Sequence, residues 1–125
     1  MSIQMKRISL ALLLFCLLPA TASSSEASAD DSERFRQIYE KEWAFRMQEF
    51  PMYASYAGVD GHEDRLGHVN EEAQARRNAF WKGIREELND ISCARLDRKE
   101  CINYRIFVKQ IDNFLADYEV RSYLI

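Results

Sequence analysis

The sequence predicts an all-α fold of three principal amphipathic helices, with a short fourth after Pro51, in an antiparallel array that is incomplete as it stands. Three observations carry this expectation. Apolar residues recur at three- and four-residue steps in three separate segments, which is the signature of a helix with one buried face. Two of those segments open on capping sequences, Asn70 before Glu71-Glu72 and the D-x-x-E of Asp97 to Glu100. The connections between them are short, which favours antiparallel neighbours.

The first helix is expected over 32–50. Phe35, Ile38, Tyr39, Trp43, Met47 and Phe50 form its apolar face, widened by Ala44 and Phe45. Arg34, Arg36, Lys41, Glu42, Arg46 and Glu49 take most of the remainder. A face this rich in aromatics is either a ligand-stacking surface or a core face, and its helical spacing favours the core. Pro51 lacks a backbone donor and pushes Phe50 out of the helical region, so the helix breaks there. A short helix over 52–57 follows, and Gly58 ends it in a left-handed conformation.

Gly58 to His68, with three glycines and both histidines of the chain, reads as a loop. His62-Glu63 invites comparison with the zinc motif HExxH, but position 66 is leucine and the segment is not helical. His62, Glu63, Asp64 and His68 could form a loop site; exposed loop histidines are the plainer reading. The second principal helix, over 70–91, buries Ala73, Arg77, Phe80, Trp81, Ile84, Leu88 and Ile91. Arg77 on this face either pairs with an acid or, as we expect, snorkels. Gly83 in mid-helix costs about 1 kcal/mol relative to alanine and can admit a close neighbour.

A connector leads to the third helix, over 98–118, with Tyr104, Phe107, Val108, Ile111, Phe114, Leu115 and Tyr118 on one face. Residues 119–125 alternate and are rich in β-formers. The chain ends on Leu124-Ile125 with no cap or polar tail, which suggests truncation at the C-terminus. The three faces together hold more large apolar residues than a bundle of this size easily buries.

Ahead of these helices stands a leader. Lys6 and Arg7 precede the apolar run at 8–18, and Ala20-Thr21-Ala22 follows as a small-x-small site, so residues 1–22 read as a signal peptide cleaved after Ala22. The run is short of the roughly 20 residues a spanning helix needs, and bulky Phe15 argues against a lipid anchor at Cys16. The expected location is periplasmic or secreted, with no stable membrane anchor after cleavage. Residues 23–31, small and acidic, are expected to be a disordered leader, leaving 32–125 for the fold. Removing Lys6 and Arg7 makes the chain more acidic than the formal −3 of the whole. That argues against nucleic acid, whose binding needs a basic surface. Cys93 and Cys101 remain, an even pair that fits a disulfide in an exported chain; two free thiols are the alternative.

The ordered set of Pro51, Ala54 and Gly58, the Asp64-Arg65-Leu66 loop, Ile91, Leu96, Tyr104 and Tyr123-Leu124 resembles the start of a bacterial family of large exported proteins. This is domain-of-unknown-function family 885, whose members look like gluzincin-type zinc metallopeptidases. The resemblance spans 35–125. It implies a helical N-terminal segment that packs against a catalytic body supplied by further sequence. There zinc would lower the pKa of a bound water and a glutamate would accept its proton. No HExxH occurs among these residues, so the resemblance assigns no catalytic or metal residue here, and zinc is expected only for the full-length family member. The expected partner is that body, or another protein, met through apolar helix faces. The alternative is a complete small exported module that binds through an exposed aromatic face.

Overall fold

The computed structural model describes residues 23–124, with side chains described from Ser28 onward. The expected signal peptide, its cleavage at Ala22, and Cys16 lie outside them. Helix is the only regular structure among the described residues: α1 (Ser23–Glu49), α2 (Pro51–Tyr56), α3 (Glu71–Asn89) and α4 (Arg98–Glu119). Short 3₁₀ turns occupy Cys93–Arg95 and Ser122–Leu124. No helix here is long and apolar enough to cross a membrane.

α3 lies between the other two long helices. Side-chain pairs set the directions: Arg34 with Asp90 and Glu49 with Arg76 join α1 to α3 in opposite order. Tyr104 with Leu88 and Arg85 with Asp112 do the same for α3 and α4. α1 and α4 therefore run parallel, and their side chains meet at Phe35–Tyr104, Phe35–Phe107 and Tyr39–Phe107, all edge-to-face. The core is built from Phe35 and Ile38, then Trp81, Ile84, Leu88, Ile91 and Leu96, then Phe107 and Ile111. It matches the predicted faces of α3 and α4.

The caps are largely as predicted. Asn70 accepts the amide of Ala73 at 2.9 Å, and Asp97 accepts that of Glu100 at 2.8 Å. The Glu100 carboxylate is engaged from another direction, by the Ser32 hydroxyl at 2.7 Å, so the box is used on one side and ties α4 to α1 on the other. At the corner, Phe50 leaves the helical region (φ −126°, ψ 72°) and the first turn of α2 starts on Pro51. α2 closes with Gly58 at φ +75°. There the amides of Gly58 and Val59 return to the carbonyls of Ser55 and Ala54 at 3.1 and 2.9 Å, the pairing expected of a left-handed glycine stop.

Two expectations are corrected, and the tail takes a form the sequence left open. Residues 23–31 are the start of α1 and not a disordered leader. Asp31 is buried and held by Arg95 at 2.7 Å and by the Ser92 amide at 3.0 Å, which gives this acidic stretch a reason to stay ordered. The alternating, β-former-rich tail after Glu119 is not extended: Arg121 takes a positive φ of 52° and the chain folds into the closing 3₁₀ turn, its Ser122 hydroxyl bonded to the Asp117 carbonyl. Gly83 admits no close neighbour, since a Cβ there would meet nothing within 4 Å.

Candidate functional site

The Pro51 corner is held by α3. Arg77, predicted to snorkel, is instead 3% exposed and paired: its Nε donates to a Glu49 carboxylate oxygen at 2.9 Å. Its Nη2 donates to the carbonyls of Glu49 and His68 at 3.1 and 2.7 Å, and its guanidinium lies 4.3 Å from the centre of the Phe50 ring. Arg76 grips the other side of Glu49. Burial pushes the Glu49 carboxyl up, but the hydrogen bonds from Arg76 and Arg77 outweigh it and leave the group below its ordinary range. The loop then passes over the corner at Gly67, where a Cβ would sit 3.1 Å from the Glu49 carbonyl and 3.6 Å from Pro51.

This arrangement brings part of the predicted motif together. Pro51 and Ala54 are buried in the corner and Gly58 ends α2. Asp64, Arg65 and Leu66 stand apart on the exposed side of the loop. Arg65 is occupied locally by Asp64, His62 and the Gly61 carbonyl, and Leu66 is exposed. Among the described residues no group of three or more His, Cys, Asp or Glu is placed to hold a metal ion. Cys93 and Cys101 form the predicted disulfide across the α3–α4 connector, eight positions apart with Cα atoms 5.0 Å apart.

The chemistry that sequence reasoning missed lies on the next turns of α1. Glu42 and Arg46, assigned to the outer surface, face inward. Glu42 has no exposed surface and Arg46 is 13% exposed; they pair at 2.7 Å. Glu42 also accepts the Trp81 indole N–H at 3.3 Å. A desolvated pair of this kind stands only because each charge has the other. The Arg46 guanidinium is surrounded by rings, 5.6 Å from the centre of Trp43, 5.8 Å from Tyr53 and 5.9 Å from Phe114. The register was visible in retrospect, because Phe35, Ile38, Glu42, Phe45 and Glu49 follow the same three- and four-residue steps as the core.

Arg46 opens onto a cleft of about 390 Å³. It is lined by Phe50 and Tyr53 from the corner, Trp81 from α3, Phe114 and Tyr118 from α4, and Tyr123 from the closing turn. Trp81 and Phe114 are packed 4.5 Å apart, and Tyr118 stacks on Tyr123 at 6.0 Å. Gln74, Asp117 and Ser122 are the other polar members. A second opening, of about 540 Å³, runs between α1 and α4; Phe35, Tyr39, Ile106 and Phe107 share its lining with Ser32, Arg36, Glu100, Asn103 and Gln110. The two share no lining residue.

No family model, curated protein or solved structure matches this chain.

Proposed function

We propose that this chain is the N-terminal helical segment of an exported, zinc-metallopeptidase-like protein, acting as a packing scaffold for a catalytic body and inactive alone. The observation that best supports this reading is the groove between α1 and α4. Its floor is Phe35 and Phe107, and Tyr39 and Ile106 on its margins remain 45% and 62% exposed. Ile102, one turn earlier on α4, is exposed as well. An amphipathic helix laid along this groove would cover all of these, meet Arg36, Glu100, Asn103 and Gln110 with polar groups, and complete a four-helix arrangement. The ordered motif from Pro51 to Leu66 supports the family reading, in which zinc belongs to an HExxH helix outside this segment. Export to the periplasm or beyond is part of the same proposal, and the disulfide is in keeping with it.

A urea titration of the purified protein, followed by circular dichroism with a dye for exposed apolar surface, tests the scaffold role. The expected result is a helical protein that binds dye, with binding reduced when Tyr39→Ser and Ile106→Ser are combined. Sequencing the gene beyond the codon for Ile125 should disclose an HExxH. A sharp transition, little dye binding and no such motif would instead favour a self-contained binding module, the reading supported by the Arg46 cleft, which the chain lines with its own residues.

A further inference from the structure

We propose that the cleft around Arg46 is a binding site for an apolar amino-acid residue with a free α-carboxylate. The inference is independent of the scaffold role, since cleft and groove have no residue in common. It starts from a hydrogen-bond deficit. A guanidinium carries five N–H donors in a planar fork. In Arg46 the Nη2 donates to Glu42 and Nε is enclosed by protein with no hydrogen-bond partner among the described residues, while Nη1 is neither enclosed nor hydrogen-bonded there and is the donor left open to the cleft. Buried donors are almost always satisfied, because leaving one unpaired costs the desolvation of the group. An acceptor is wanting at the Nη1 end of the guanidinium, and the strongest match to a charged guanidinium donor is a carboxylate.

The surroundings select the rest of the ligand. Phe50, Tyr53, Trp81 and Phe114 offer ring faces and edges for a flat or branched apolar body, and the cleft is within the size range of small-molecule sites. Asp117, also on the lining, makes no ion pair among the described residues. Its charge disfavours a second carboxylate and can accept a hydrogen bond from an amino group. A carboxylate on Arg46, an apolar side chain among the rings and an amine or amide nitrogen toward Asp117 together describe an α-amino-acid unit. That unit arises as a free amino acid or as the C-terminal residue of a peptide.

Titration calorimetry of the purified protein with three probes tests the assignment, with quenching of tryptophan emission as a second signal because Trp81 lines the cleft. The probes are L-phenylalanine, N-acetyl-L-phenylalanine and L-phenylalaninamide. Both acids are expected to bind and the amide to bind at least about tenfold more weakly, the loss expected for a charged hydrogen-bonding partner. Tighter binding of the free amino acid, abolished by Asp117→Asn, identifies the free form; equal or tighter binding of the acetylated acid identifies a peptide C-terminus. Arg46→Gln should weaken both acids about tenfold. Because it strands Glu42, the combined Glu42→Gln and Arg46→Gln protein and Phe114→Ala serve as second variants, each expected to lose binding while remaining helical. Equal binding of acid and amide, or binding of neither acid at millimolar concentration, overturns the proposal.

Discussion

Glu42 on α1 accepts the indole N–H of Trp81 on α3 at 3.3 Å, and it does so with no surface exposed to solvent. A carboxylate at the centre of an aromatic core is thereby joined to two donors, Trp81 and Arg46, one on each of two helices.

Removing one member of this buried set should be costly. Glu42→Ala leaves the Arg46 charge desolvated without its partner, and we expect a loss of about 3–5 kcal/mol in chemical denaturation. Replacing both residues by methionine should cost far less than the single change, because no stranded charge remains. If the single and double variants are equally unstable, the stranded Arg46 charge is not the source of the loss.

Gly83→Ala is expected to stabilise the protein by about 0.5–1 kcal/mol, read as a rise in the denaturation midpoint. The position is interior to α3, and a Cβ there meets nothing within 4 Å, so only the conformational freedom of the unfolded chain changes. A fall in stability would mean that another chain approaches this face in solution.

The disulfide closes a short loop around the connector between α3 and α4. Cys93→Ser combined with Cys101→Ser should lower stability by about 2–3 kcal/mol, from the entropy returned to the unfolded chain. A thiol titration of the denatured, unreduced protein should find neither residue free.

Acid should weaken the fold through Asp31 and Glu49. The Arg95 hydrogen bond, helped by the Ser92 amide against the effect of burial, holds the Asp31 carboxyl below its ordinary range. Glu49 is lowered by Arg76 and Arg77 in spite of its burial. A carboxyl lowered by folding contributes stability that is complete above its unfolded pKa, about 4, and is lost as pH falls through the folded value. Stability measured between pH 6 and pH 2 should therefore drop below about pH 4, and Asp31→Asn with Glu49→Gln should flatten the drop while lowering the plateau above it.

The sequence made the apolar faces of α3 and α4, the caps at Asn70 and Asp97, the break at Phe50 and the stop at Gly58 legible, because each depends on local steric or hydrogen-bonding rules. It placed Arg77 on the inner face but not its partner Glu49, 28 positions away, and it sent Glu42 and Arg46 outward. Glu42 meets Trp81, 39 positions along the chain, and Arg46 follows it inward four residues on; a rule that sends charge outward has no term for Trp81 waiting opposite Glu42. Asp31 is the same case: only the fold brings Arg95 and the Ser92 amide beside it, and the helix consequently starts well before Ser32. The aromatic excess was legible as an excess; which rings would enclose Arg46 and which would flank the α1–α4 groove was not, since that depends on how far apart two parallel helices stand.

The parallel course of α1 and α4 also settles where the described segment is entered and left. α1 arrives from the pole where the connector and the disulfide lie, and α4 departs at the pole where the Pro51 corner turns. With 27 residues in α1 and a rise of about 1.5 Å per residue, the two exits are separated by roughly 40 Å. A pair of dyes, one on each exit, would report that span as an end-to-end ruler. A domain joined at either exit would be delivered to its own pole, leaving the opposite one unobstructed.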